Sequence, residues 1–372
     1  MSLQKIFFKT FKNIHVATAM TTVLLLNACA TVTPSNPSAT NTAAPAIQPT
    51  SGTSVVRLAY FPNFTHATGL VAVANGTVQK AIGSNTKLDV KSFNAGPALI
   101  EALLAGEIDI GYVGPSPAIN GYVKSKGSAL RIIAGASSGG ALFVVKPSAN
   151  IKSAKDLAGK KIATPQKGGT QDIALRKYVS QNGLKTADEG GTVTVLPTAN
   201  PDILTLFKQN QLDGAWVPEP WATRLLQEAG GEVFIDERAI WPDGKFSTTL
   251  IVVSTKFLKQ SPDLVKAVVK AHVQTDKFVR ENAAEAKSIA NKEIERITSA
   301  ALPNVVLDAA FRNVDFSYDP YASTVLVGAD DAFKLGFLGD TQPNLDNLFD
   351  FSVLNEVLKE QGLPLVKAVV SK

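Results

Sequence analysis

The sequence predicts an α/β protein of two lobes, each a mainly parallel sheet flanked by helices, joined by a hinge of two crossings. Three observations carry this reading. Short apolar strands alternate with helical segments from residue 55 onward, the order that builds parallel sheets. Strand-like runs at 131–136 and 141–146 are split by Ser137-Ser138-Gly139-Gly140, where glycine permits unusual torsions, and a strongly β-prone run at 246–254 offers a return path. Finally, 372 residues, 45% hydrophobic and 19% charged, are enough for two compact bodies. The expected division is residues 55–139 with 249–372 in one lobe and 140–248 in the other. A cleft between two such lobes suits closure around a small ligand.

The elements follow in order. Lys5, Lys9 and Lys12 precede an apolar stretch at 16–26 and then Leu26-Asn27-Ala28-Cys29. This is the layout of an export signal over residues 1–28, and the Leu-x-x-Cys ending resembles a bacterial lipoprotein cleavage box. The apolar stretch is short for a membrane span. Cys29 is the only cysteine in the chain, so internal disulfides and thiolate metal clusters are excluded. Residues 29–54, rich in Ser, Thr, Pro and Ala, read as a disordered tether. Removing the leader lowers the net charge from +5 to +2, which gives no case for nucleic-acid binding. Both methionines, Met1 and Met20, leave with it, so Cys29 would hold the only sulfur of the mature protein. Packing does not explain that, since Met fills cores well. Sulfur economy is one reading; codon bias, drift or selection against oxidation is the other.

Residues 55–60, VVRLAY, alternate as a strand and run into Phe61-Pro62-Asn63-Phe64-Thr65-His66, a loop dense in polar and aromatic groups. A helix is expected over 70–80 and a strand over 88–93. Leu99, Ile100, Leu103 and Leu104 recur at helical spacing, and Gly106 stops that helix. Ile108, Ile110, Tyr112 and Val113 make a short strand broken by Gly114-Pro115, with Ser116 expected as N-cap and Pro117 at the first helical position. A capped helix start at a strand's carboxyl end suits an anion without any basic residue. In the second lobe Ser153-Ala154-Lys155-Asp156 forms a capping box before a strand at 161–164. Lys167-Gly168-Gly169-Thr170-Gln171-Asp172 then opens a helix, with Thr170 as its expected N-cap and a second anion-capable start. A strand at 192–196, a helix begun by Asn200-Pro201-Asp202 and a strand at 212–217 lead to Trp216 and the rigid turn Pro218-Glu219-Pro220-Trp221. From Ser261-Pro262-Asp263 the chain is mainly helical to about Gly362.

Catalytic chemistry is missing. Of three histidines, His15 lies in the leader, and His66 with His272 cannot build a metal site. There is no G-x-S-x-G elbow and no phosphate-binding G-x-x-x-x-G-K-[ST] loop. The sequence therefore predicts no enzyme, no cofactor and no metal.

Three segments, FNAGPALIEALLAGEIDIGYVGPSPA, KGGTQD and WVPEPW, occur in this order and spacing. Together they resemble the solute-binding proteins of bacterial transporters for sulfonates, taurine and nitrate, from about residue 55 to the C-terminus. The resemblance implies the type II periplasmic-binding-protein fold, a small anionic solute, and an ABC permease with its ATPase as partners. It also implies a monomer anchored to the cell membrane through lipid on Cys29, facing the periplasm or the exterior. The family's ligand contacts fall at Asn63 and His66; at Ser116, Pro117 and Ala118; at Thr170 and Gln171; and at Trp216 with Glu219. The resemblance has Ser116 and Thr170 gripping the anionic head from opposite lobes and Trp216 covering the apolar part. Glu219 either pairs with a ligand amine or supports its loop. The aromatic loop at 60–66 favours a ligand larger than taurine or nitrate, and with the sulfur-poor chain it points to an alkyl or aryl sulfonate. Nitrate, taurine or a pyrimidine precursor of thiamine is the alternative cargo. An enzyme like the pyrimidine synthases of thiamine biosynthesis needs the cysteine-rich motif and histidines that this chain lacks.

Overall fold

The computed structural model describes residues 54–367. The predicted leader, the Cys29 lipidation site and the tether up to residue 53 lie outside the described residues. Eleven strands are described: β1 Ser54–Tyr60, β2 Thr86–Ser92, β3 Ile110–Val113, β4 Leu130–Gly139, β5 Ala141–Val145, β6 Lys161–Thr164, β7 Thr194–Pro197, β8 Gly214–Pro218, β9 Glu232–Asp236, β10 Ser247–Ser254 and β11 Val314–Phe316. They form two sheets. The first has the order β11-β4-β10-β3-β1-β2 and the second β7-β6-β8-β5-β9.

Parallel pairs occur where strand–helix–strand units predict them, at β1/β2, β1/β3, β6/β7 and β6/β8. The strands on either side of the two passages between sheets pair antiparallel: β10 with β3 and β4, and β5 with β8 and β9. Both sheets are therefore mixed rather than mainly parallel. Each is covered on both faces, and side-chain alternation sorts the strands between two cores. Leu58 and Tyr60 of β1 join one core of the first sheet, while Ala59 joins the other. In β10 the two sets are Ile251 and Val253 against Leu250 and Val252. In the second sheet Leu142 and Val144 of β5 face one core, and Phe143 and Val145 the other.

The chain leaves the first sheet at Gly139-Gly140, where both residues have positive φ, 68° and 66°. Only glycine takes these torsions without strain. A Cβ on Gly140 would also lie 2.6 Å from Val314 Cγ2 and 3.0 Å from Thr65 Cγ2, so packing excludes any larger residue as well. The return runs through two short 3-10 turns, Glu237–Ile240 and Pro242–Gly244, into β10.

The helix expected over 70–80 is two helices, Ala67–Ala74 and Thr77–Ile82. Gly76 between them has φ of 76°, a left-handed turn that ends the first and starts the second. Beyond β10 the described chain is mainly helical, from Pro262–Glu281, which starts after Ser261, to Ser352–Glu360.

Candidate ligand-binding site

Strand and helix order places four helix starts at one point. The helices are Gly96–Leu104, Pro115–Lys124, Thr170–Gln181 and Asn200–Lys208, and they follow β2, β3, β6 and β7. All four starts therefore lie beyond the carboxyl ends of parallel-paired strands, where ligands of open α/β sheets bind. Gly96, Gly114, Pro117, Gly169, Thr170, Gln171 and Asn200 line one small cavity of about 40 Å³. A water needs roughly 10–15 Å³ on this measure, so the cavity has room for a head group of a few atoms.

The lining contains no Asp, Glu, Lys or Arg. Each helix start carries roughly half a positive charge from its free N–H groups. Three side-chain oxygens of the lining are buried without a hydrogen-bond partner: Thr170 Oγ1, Gln166 Oε1 and Asn200 Oδ1. Leaving such groups unpaired costs about 1–3 kcal/mol each. The amide oxygens and nitrogens of Gln166 and Asn200 exchange places on a simple flip, so both side chains can donate. The arrangement is an uncharged, partly positive cage with unspent hydrogen-bonding capacity.

Asn63 and His66 contribute from the loop after β1. Trp221 Nε1 donates to Asn63 Oδ1 at 2.9 Å, which fixes the amide. Phe61 N donates to His66 Nδ1 at 3.4 Å, and the two rings lie 4.3 Å apart. The neutral imidazole thus carries its proton on Nε2. Burial pushes the His66 pKa down to about 3, so the ring brings no charge to the cavity at neutral pH.

Of the residues singled out in the sequence, Asn63, His66, Pro117, Thr170 and Gln171 come together around this cavity. Four do not. Ser116 is not the N-cap: Gly114 holds that position and Pro115 takes the first helical turn, so Ser116 is rotated toward a second cavity to which Thr170 also contributes. Ala118 is fully buried in a core with Leu99 and Ile119. Trp216 is fully buried too, in the core between the second sheet and the helix Thr170–Gln181, and is not part of the cavity lining. It stacks on Phe143 at 5.2 Å, and its Nε1 donates to Glu237 Oε2 at 2.8 Å. Burial pushes that carboxyl up to about 7. The indole holds an acid in place and covers no ligand in the small cavity.

Glu219 is a strut. Its carboxylate accepts from Thr223 N at 3.0 Å, Thr223 Oγ1 at 2.9 Å and Asn313 Nδ2 at 2.6 Å, and Phe64 N donates to its carbonyl at 3.0 Å. It stitches the second sheet to the loop after β1 and to the segment before β11, and it is fully buried outside the cavity lining. Thr170 is likewise not an N-cap, since Gly169 is. The hydroxyl is therefore free of its own helix and remains unpartnered.

Sequence reasoning missed Asn94, Gln166, Asn200 and Thr248, which also line the cavity. The available signal was their position. Asn94 and Asn200 sit at helix starts directly after strands, just as Gly114 and Gly169 do. Among the described residues no group of acidic, His or Cys side chains could hold a metal, and no helix is long and apolar enough to cross a membrane.

Known proteins show the same architecture. The alkanesulfonate-binding protein SsuA from Xanthomonas axonopodis pv. citri, solved with MOPS, superposes with a TM-score of 0.65 at 19% identity, covering 77% of this chain and 95% of that one. The periplasmic nitrate-binding protein NrtA from Synechocystis PCC 6803 gives 0.70 at 15% identity, over 84% and 90%. At such identities the likeness establishes the fold alone, a two-sheet periplasmic-binding-protein architecture. In sequence, the taurine-binding periplasmic protein of Escherichia coli (strain K12) is 28% identical over 203 residues, 55% of this chain; the chain spans 60% of that protein's length. A model of the NMT1-like family matches residues 50–292. That stretch holds β1 to β4 and β10 of the first sheet, all of the second and the whole lining of the cavity, and by it the chain belongs to the NMT1-like family.

Proposed function

We propose that the protein is the extracytoplasmic solute-binding component of an ABC importer. It takes a small organosulfonate between its two lobes, residues 55–139 with 249–372 and residues 140–248, and delivers it to the permease without chemical change. The observation that carries this is the convergence of four helix starts on an uncharged cavity with three unpartnered polar side chains. A catalyst needs a nucleophile or a poised acid–base pair there, and the lining offers only a neutral histidine. The taurine-binding relative and the MOPS-bound neighbour support the sulfonate. Nitrate is the second reading, because about 40 Å³ suits a bare planar anion as well as a sulfonate head.

Calorimetric titration of the purified protein with ethanesulfonate, taurine, aryl sulfonates, nitrate and a thiamine-precursor pyrimidine decides between them. A hit among sulfonates with the matching carboxylates silent is the expected result. Binding of nitrate or the pyrimidine alone would discard the sulfonate and keep the transport role. Within the sulfonate reading, Thr170→Val keeps side-chain shape and removes one donor to a charged group. Its expected cost is about 1.5–3 kcal/mol, at least tenfold in Kd. An unchanged Kd would move the site elsewhere.

The proposal includes lipid attachment at Cys29, on the motif Leu26-Asn27-Ala28-Cys29. Intact-mass analysis of protein recovered from membranes should show a chain beginning at Cys29 and carrying acyl groups. A mature chain with a free Cys29 thiol would end the anchor.

A further inference from the structure

Thr170 belongs to two cavities. The second, of about 230 Å³, is far larger than the head-group cage. The two share three elements, each supplying neighbouring residues to both: Gly114 and Pro117 against Pro115 and Ser116, Gln171 against Ile173, and Thr248 against Phe246 and Ser247. They adjoin along these elements, with Thr170 Oγ1 packed against Gly114 at the neck.

The lining of the second cavity has a different character. Ile173, Tyr178, Ile240, Trp241 and Phe246 give it an apolar side, while Gln181, Asn182 and the buried Glu237 are polar members of the same lining. Trp241 stacks on Phe246 at 5.6 Å with an interplanar angle of 10°, an aromatic pair at the edge of the cavity. Lys177, which also lines the cavity, lies over Trp241 at 5.1 Å and pairs with Asp331 of the facing helix at 2.6 Å. That ion pair joins the helix Thr170–Gln181 of the second sheet to the helix Ala322–Lys334. Two wall groups are unpartnered polar side chains, the Thr170 hydroxyl and the Ser247 hydroxyl, the latter on a residue only 4% exposed. A site of this size, with an apolar side and two unspent hydroxyls, suits an organic ring. A cavity of roughly 150 Å³ lined by apolar side chains already accepts benzene.

We infer that this cavity is the subsite for the organic part of the ligand, and that the preferred cargo is a sulfonate carrying an aromatic or saturated ring. The inference rests on the sulfonate reading above and extends it. The head sits among the helix starts, and the ring occupies the adjoining cavity beside the Trp241–Phe246 pair.

Gly328 allows a clean test. It lines the second cavity and not the first, and a Cβ there meets nothing within 4 Å. It sits inside the helix Ala322–Lys334, where replacing glycine favours the helix. Gly328→Phe therefore places a ring at the wall of the cavity, and an unchanged circular dichroism spectrum and Tm check that the variant folds as wild type does. The measurement is calorimetric titration in phosphate buffer, since common sulfonate buffers would compete. Ethanesulfonate is compared with phenylmethanesulfonate and MOPS, on wild type and on Gly328→Phe. In the expected result wild type binds the ring sulfonates at least tenfold tighter than ethanesulfonate, and Gly328→Phe removes that advantage while leaving ethanesulfonate within twofold. Ring sulfonates bound equally well by both proteins would overturn the subsite and leave the sulfonate reading standing. An equal loss for all three ligands would also overturn it. Silence from every sulfonate on wild type would remove both.

Discussion

Gly114→Val is expected to abolish ligand binding, raising Kd at least a hundredfold, while the protein stays folded. Gly114 is the N-cap of the helix Pro115–Lys124, with φ of −68° and ψ of 156°, a conformation any residue adopts before proline. Backbone strain is therefore not the issue. A Cβ at this position would press into Thr170 Oγ1, closer than real Cβ atoms come, and would also lie 3.4 Å from Thr170 Cβ. Thr170 belongs to the second sheet's first long helix and Gly114 to the first sheet, so the clash acts between two bodies rather than within one. Rotating the Thr170 hydroxyl away relieves only part of the clash, because Thr170 Cβ at 3.4 Å still meets the valine methyls; holding the bodies apart relieves the rest and pulls two helix starts away from the other two. Circular dichroism should be unchanged, small-angle scattering should show a larger radius of gyration, and calorimetry should show no heat with ethanesulfonate. Wild-type affinity in this variant would mean that the contact is not on the path to the bound form.

Trp216→Ala should act on stability and leave recognition of small sulfonates alone. The indole is fully buried among Phe143, Tyr178 and Glu237. Truncating such a residue costs about 3–5 kcal/mol. For a body of this size that lowers Tm by on the order of 10 °C. The loss has a second part, since Glu237 keeps only the Trp241 indole as a donor, at 3.4 Å. At temperatures where the variant is folded, ethanesulfonate affinity should fall less than about threefold. A large affinity loss with an unchanged Tm would restore the ligand-covering role that the sequence suggested.

That contrast shows where sequence reasoning stops. The strand at 161–164 and the passage at Gly139-Gly140 were legible because each rests on local chemistry: β-branching and apolar runs in one case, glycine torsions in the other. Trp216 was not legible. β8 is buried on both faces, so alternation says that Trp216 opposes Ala215 and Val217 but not which face looks toward the cleft. The start of the helix Pro115–Lys124 was ambiguous for a local reason as well. In Gly114-Pro115-Ser116-Pro117 either proline fits the first turn, and choosing the wrong one rotated Ser116 into the site. Asn200 and Gln166 were missed because an amide becomes a site residue only through its neighbours. Glu219 resisted assignment because its partner Asn313 lies 94 residues away.

The cage holds no formal charge, and in the proposed transport role this bears on how the solute would leave. A lysine or arginine clamp would travel with one lobe and keep its grip on an anion after the lobes part. Here the field is a sum of four backbone contributions, two on each sheet, and is strong only where all four axes meet. When the halves separate, water fills the gap, each helix end regains solvent partners, and no single group retains a lien on the solute. Capture and hand-off then become one coordinate, the width of the cleft, and a membrane partner that pries the halves apart need supply no competing ligand of its own.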